Sequence, residues 1–417
     1  MLDVKFLVEN TEQVIENIAR RGKYKIDFHR IIGIYKERNE LIGQIDSMRA
    51  EKNTASMRLS QIDKKSADFQ NAVKELKKIS VKEKELADVL RGREEELRNE
   101  LLQIPNLLDE KVPAGKDERD NLVVKEWGEK REFSFKPMPH WDIGEKTGIL
   151  DIKRAAKIAG SRFVMNVGRG AALERALINF MLDTHTKEFG YTEIVPPFMA
   201  NSDSFIGTGQ LPKFKEDLFK CEGWDYYLIP TAEVPLTNIY RNEIIPESKL
   251  PIFVTAYSPC FRSEAGSWGK DTRGMIRVHQ FNKVELVKFT KPEDSEAEHA
   301  ALLSNAEAII QRLGIPYRVV LLSAGDTSFT SAITYDIELW MSGMNVYKEA
   351  SSVSNFKDFQ ARRANIRYKE KGTNKTRFIH TLNGSGLAVG RLLAAVIEYY
   401  QNEDGTITIP PVLQKYL

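Results

Sequence analysis

The sequence predicts an α+β chain in which a mostly antiparallel sheet, flanked by helices, follows an N-terminal antiparallel helical hairpin of coiled-coil type. Three observations carry this. Apolar residues recur at alternating three- and four-residue steps from Ile31 to Ile62 and again from Phe69 to Ile104. Beyond about residue 140, short strand-like runs follow one another with few helices between them. A nearly all-apolar segment from Leu387 to Tyr400 then reads as a helix buried on every side.

Residues 1 to about 26 form a small helical cap, with an amphipathic stretch opening at Thr11 and Gly22 as its stop. Ile31, Ile34, Leu41, Ile45, Met48, Ala55, Leu59 and Ile62 then make the first heptad seam, with Arg38 and Lys52 filling positions between them. After the polar turn Asp63-Lys64-Lys65-Ser66 the spacing resumes at Phe69, Val73, Leu76, Ile79, Leu86, Leu90, Leu97, Leu101 and Ile104, interrupted by Glu83 and Arg93. Each helix exceeds thirty residues, so the hairpin should extend roughly 50 Å as an arm. Pro105 ends it, and the charged stretches around Asp109 and Gly115–Asp120 read as an exposed connection. This divides the chain at 104/105.

In the second part an amphipathic helix from about Gly170 to Glu188 precedes strands near 191–195, 226–230, 251–261, 276–289, 317–322 and 378–383. Hairpin-like pairs of this kind argue against a doubly wound parallel sheet.

Composition sets limits. The net charge is only +2, so a nucleic-acid partner is not announced by bulk charge and any basic surface must be local. Cys221 and Cys260 are the sole cysteines, which excludes a disulfide framework or a cysteine-rich structural zinc site and suits a reducing cytoplasm. The first residues lack the basic and apolar regions of a signal peptide. No run approaches the ~20 apolar residues of a membrane span.

Common nucleotide signatures fail. Gly266–Thr272 has a Gly-Lys step without P-loop spacing, and Gly384–Gly390 misplaces the last glycine of a dinucleotide fingerprint. The richest segment is Phe261-Arg262-Ser263-Glu264, a loop, then Ile276 to Lys288. Alternation puts Ile276, Val278, Val284 and Leu286 on one face and Arg277, His279, Phe281, Lys283 and Glu285 on the other. Arg262 and Glu264 are expected to share a face of the preceding strand. Two arginines, two carboxylates and a ring suit a bound anion with an aromatic group beside it. A solvated face of salt bridges is the plainer alternative. The glycine-rich, basic loop from Ala265 to Gly274 favours closure over phosphates.

Three further segments carry chemistry. Glu349-Ala350-Ser351-Ser352 offers hard oxygen ligands for Mg²⁺, although a polar loop capping a helix explains it as well. Asn383-Gly384-Ser385-Gly386 leads towards the buried helix, where Arg391 needs an anion, either a phosphate or a protein carboxylate. Thr231-Ala232-Glu233 reads alone as a helix start in which Glu233 favours the dipole.

Together these segments closely resemble seryl-tRNA synthetases of the class II synthetase family. Gly190 to Pro197 looks like the family's motif 1, Phe261 to Glu285 like motif 2, and Gly384 to Arg391 like motif 3. Gly207 to Pro212, Thr231 to Glu233 and the N-terminal arm are similar to features of the seryl branch. The resemblance spans essentially the whole chain. It implies a ligase that uses ATP to activate L-serine and loads it onto tRNA for serine, with tRNA for selenocysteine an open second acceptor. Residues 1–104 would bind tRNA and residues 105–417 would catalyse. Thr231, Ala232, Glu233, Glu285, Asn383 and Ser385 would form the serine pocket. Arg262 would hold the α-phosphate and the serine carboxylate, with Ser263 and Glu264 by the adenine. Phe281 would stack on that base, Arg277 would reach the γ-phosphate and Arg391 would clamp ATP. Glu349, Ala350, Ser351 and Ser352 would complete the ATP site, Glu349 and Ser352 through Mg²⁺. The family shape implies a homodimer, in which one subunit's arm presents tRNA to the other's site. Two rival readings remain: a paralogue loading an amino acid onto a carrier protein, which would lack the arm, and a non-catalytic coiled-coil scaffold.

Overall fold

The computed structural model describes residues 1–265 and 273–417. They form two compact units, one made of residues 2–15 and 24–105, the other of Met1, residues 16–23 and 106–417.

In the smaller unit, Asp27 caps helix α1 (Phe28–Leu59) by accepting from the Arg30 amide, and Ser66 caps α2 (Ala67–Leu102) by accepting from Phe69. Cross-helix ion pairs run from Arg30 to Glu96 and Glu100, from Arg93 to Glu37, from Arg38 to Glu94, and from Arg49 and Lys52 to Glu83. From Arg30 near one end to Lys52 near the other, the partners move back from Glu100 and Glu96 to Glu83, which is the signature of an antiparallel hairpin. The seam follows the expected positions with one correction. Val73 is 41% exposed and Ala72 takes its place. Ala72 is the residue that keeps three-then-four spacing from Phe69 to Leu76, so the heptad outweighs the larger side chain. No described residue from Asp46 to Lys78 is fully buried.

The larger unit is built on eight strands: β1 (Leu122–Trp127), β2 (Thr192–Glu193), β3 (Ile252–Phe261), β4 (Gln280–Thr290), β5 (Tyr317–Leu321), β6 (Ile333–Met341), β7 (Val346–Asn355) and β8 (His380–Ala388). Their spatial order is β1-β5-β6-β7-β8-β4-β3-β2, antiparallel throughout except for the β2–β3 pair. Helices α3 (Arg169–Lys187), α4 (Ser295–Arg312) and α5 (Val389–Tyr399) cover one face, packing on Val284, Leu286, Ile337, Leu339, Val353 and Leu387. The other face carries a smaller apolar cluster around Val254, Val287, Phe289 and Ala361, and beside it a row of polar residues.

Several expectations need correction. The strand expected from residue 276 starts at Gln280. Before it the Met275 amide donates to the His140 ring, and the His279 amide to the Arg162 carbonyl, contacts that replace a ladder. Strand β3 ends at Phe261, so Arg262 and Glu264 do not share a strand face, and Glu264 has φ of +53°. The segment Lys348–Asn355 is a central strand and not a polar loop. Residues 384–386 lie within β8, and the last helix begins at Val389, two residues later than expected. Strands β1 and β6 were not anticipated. No helix among the described residues is long and apolar enough to cross a membrane.

Candidate active site

Two bulges decide which side chains reach the polar face. In β7 the register slips at Ala350: Glu349 pairs with Glu338, Ser351 with Ile337 and Ser352 with Asp336. Glu349 and Ser352 are three residues apart and would face opposite ways on a regular strand. The extra residue puts both on the side of Asp336. In β8 the slip falls at Gly386, so Ser385 pairs with Glu285 while Leu387 pairs with Val284. Ser385 therefore joins the polar face, and Leu387 enters the core.

The centre of the site is Glu285, which is fully buried. Its Oε2 accepts from Thr231 Oγ1 at 2.9 Å and pairs with Lys283 Nζ at 2.6 Å, and its Oε1 accepts from Asn383 Nδ2 at 3.0 Å. Lys283 also donates to Thr231 Oγ1 at 2.9 Å, closing a ring. Beside it, Glu233 opens the short helix Glu233–Thr237 with its carboxylate turned inwards, where Gln360 Nε2 donates to Oε1 at 2.6 Å. Burial, and then the charge of Glu285, push the Glu233 carboxyl up to about 7.

Next to this ring the Arg262 guanidinium faces the Phe281 ring at 5.1 Å and donates to the Pro230 carbonyl at 3.3 Å. Arg277 and Glu264, two expected ATP contacts, form an ion pair at 2.6 Å. Ser263 donates to the Glu216 carbonyl. On the other side Arg391 donates to the carbonyls of Ile276 and Glu349 and lies 3.4 Å from the Glu349 carboxylate. A protein carboxylate thus partners this arginine, one of the two options left open. Ser352 donates to Asp336 Oδ1 at 2.6 Å. The Asp336 carboxyl is held well above the usual range by burial and by the negative charge of Glu349.

Most of the sequence-expected residues lie on or beside this face, but not all offer side chains to it. Ala232 and Ala350 are buried in apolar clusters, and the Ser351 hydroxyl is taken by the Ser385 carbonyl at 2.6 Å. Their contacts with a ligand would be through backbone. Most of the expected phosphate-covering loop, residues 266–272, lies outside the described residues. Sequence reasoning missed Lys283, Gln360 and Asp336 as site residues. Lys283 had the signal of sharing a face with Glu285. Asp336 had that of the alternating Ile333, Tyr335, Ile337, Leu339 and Met341, which throws it to the opposite side. Gln360 had none.

An antiparallel sheet with arginines and carboxylates along one face is the frame on which the comparisons fall. Residues 217–400 match the tRNA synthetase class II core domain (G, H, P, S and T), and this sets the class. Residues 1–108 match the seryl-tRNA synthetase N-terminal domain. The chain is 55% identical to the serine–tRNA ligase of Syntrophobacter fumaroxidans, covering 100% of this chain and 98% of that one. It is 53% identical, with the same coverage, to that of Carboxydothermus hydrogenoformans. A crystal structure of seryl-tRNA synthetase from Pyrococcus horikoshii complexed with ATP superposes with a TM-score of 0.91 at 37% identity, over 100% of this chain and 98% of that one. The chain belongs to the seryl-tRNA synthetase family.

Proposed function

We propose that the protein is an ATP-dependent serine–tRNA ligase that forms seryl-adenylate and pyrophosphate, then transfers serine to the 3′ end of tRNA for serine. The observation that carries the reading is the hydrogen-bonded ring about Glu285. It is a buried polar pocket for a small hydroxylated amino acid, beside arginines suited to phosphate. Thr231, Glu285, Asn383 and Ser385 address the hydroxyl and amino groups, while the inward carboxylate of Glu233 attracts the ammonium. Arg262 holds the serine carboxylate against the α-phosphate, and the carboxylate attacks in line. Arg277 releases Glu264 to reach the γ-phosphate, leaving Glu264 with Ser263 for the adenine, which stacks on Phe281. Arg391 clamps the triphosphate. The tRNA hydroxyl then attacks the adenylate carbonyl. No nucleophilic side chain is required, because positioning and charge stabilisation supply the acceleration.

The donor set beside Arg391 fits Mg²⁺. Glu349 supplies a carboxylate. Ser352 donates its hydroxyl hydrogen to Asp336 and keeps lone pairs for a cation. Among the described residues no group of three or more His, Cys, Asp or Glu could hold a metal, in keeping with an ion that takes most of its ligands from phosphates and water. Bound at Glu349 and Ser352, it would neutralise phosphate charge.

In this reading residues 1–104 bind tRNA, residues 105–417 bind serine and ATP, and the chain works as a cytoplasmic homodimer. The paired helices α1 and α2 count against a carrier-loading paralogue. A scaffold has no need to bury Glu285 and Glu233. The test is pyrophosphate exchange with serine, ATP and Mg²⁺. Arg262→Ala should lower it by orders of magnitude, since it removes a charge-assisted contact to the reacting group. Near-normal exchange in that variant would remove Arg262 from the mechanism.

A further inference from the structure

Gln360 is fully buried on the short helix Phe359–Ala364, and each side of its amide is engaged. Nε2 donates to Glu233 Oε1 at 2.6 Å and, at 3.4 Å, to the Thr208 carbonyl, while Oε1 accepts from Thr381 Oγ1 at 2.7 Å. The amide cannot turn over. A flip would set its oxygen against the Thr208 carbonyl and the Glu233 carboxylate, which in its ionised form has nothing to donate. Thr208 and Thr381 come from two further elements, and both hold the Gln360 amide, which in turn reaches the Glu233 carboxylate. Lys283, although buried nearby, bonds Glu285 and Thr231, so among the described residues it is Gln360 whose side chain donates to Glu233.

We propose that Gln360 is the positioning residue that aims the Glu233 carboxylate at the serine ammonium, a role that rests on the serine reading above. The charged groups around Glu233 are Glu285, which raises its carboxyl, and Lys283 and Arg262, which lower it. Gln360 also lowers it, because its donated hydrogen bond favours the ionised form. Gln360 therefore fixes where the carboxylate points and favours its ionised form. A glutamine does this without adding a cation that would compete with the substrate for Glu233.

The test uses the full chain, L-serine, ATP, Mg²⁺ and labelled pyrophosphate, with KM for serine followed across the neutral pH range. Gln360→Met keeps length and removes both hydrogen-bonding groups. It should raise KM for serine by about tenfold or more, the cost of a lost hydrogen bond to a charged group. KM for ATP should hold, and the pH at which serine binding falls away should move upwards. A purely structural role would leave that pH unmoved. Thr381→Val, which frees only the far end of the amide, should shift both quantities the same way by less, and it serves where Gln360→Met fails to fold. Folded variants with unchanged serine KM and pH profile would overturn the role of Gln360. A Glu233→Gln variant as active as the unaltered protein would instead overturn the pocket reading itself, and this proposal with it.

Discussion

Lys283 and Glu285 lie two residues apart on one strand, and their side chains close an ion pair at 2.6 Å with almost no access to solvent. Alternation puts both on the same face of β4, and Thr231 bridges them. The ammonium is the counter-ion of a carboxylate buried inside the sheet.

Lys283→Met should therefore strand Glu285. Removing one partner of a buried pair costs about 3–5 kcal/mol, whereas replacing both with apolar groups often costs nothing. Thermal unfolding should show a clear fall in Tm for Lys283→Met, and a partial recovery when Glu285→Gln is added. A single variant that melts with the unaltered protein would show that the pair contributes no stability.

Substrate choice follows from the same ring. If the pocket is the one proposed, alanine would leave Glu285, Thr231 and Asn383 without the substrate hydroxyl, so it should be rejected by ~10⁴–10⁵. Threonine is excluded only by its extra methyl, a lever of about 1–3 kcal/mol unless it clashes. Glu285→Ala should damage use of serine far more than binding of ATP. Equal activation of alanine and serine by the unaltered protein would sink the assignment.

Glu233 gives the pH dependence its sign. Its carboxyl is raised to about 7, and on the proposed function its ionised form receives the serine ammonium, so KM for serine should climb as pH falls below that value. Stability runs the other way. The folded chain binds the proton more tightly than the unfolded one, so this contribution is whole below the ordinary value of 4.5 and is lost as pH rises towards about 7. Glu233→Gln should abolish the inflection in serine KM. It should also stabilise the fold more above about pH 7 than near pH 5, by about 2 kcal/mol. The same Tm gain at both pH values would count against a titrating Glu233.

The hairpin can be separated from the chemistry. Replacing residues 32–100 by a short linker removes no residue assigned to serine, ATP or Mg²⁺. Exchange should survive, and transfer to tRNA should collapse. Lys64, Lys74, Lys77 and Lys78 are exposed, whereas Arg49 and Lys52 are engaged with Glu83. Neutralising one of the four exposed lysines should lower the salt slope of tRNA binding by roughly one unit or less. Full-rate charging without the hairpin would make it a scaffold. Loss of both activities would mean that it is required for folding.

The sequence revealed most where one periodicity governs a long stretch. The seam from Ile31 to Ile104 was legible residue by residue, and it failed only at Val73, where local hydrophobicity and the heptad disagree. Strand β6 was legible but unread, since its alternation is unbroken over nine residues. The bulges at Ala350 and Gly386 were not legible. A two-residue period cannot show that Glu349 and Ser352 share a face, or that Ser385 and Leu387 do not. The partnership of Gln360 with Glu233 joins positions 127 residues apart, and nothing local to either announces it.

The stretch from Asp46 to Lys78, which buries no side chain fully, has a thermodynamic consequence. Little apolar area is withdrawn from water there, so few kilocalories separate its closed helices from locally opened ones. Backbone amides near Ser66 should exchange with solvent deuterium long before those near Ile31 and Leu101, which lie beside buried neighbours. A bound RNA that ordered this stretch would register as exchange protection at the turn, even with the rest of the molecule unchanged.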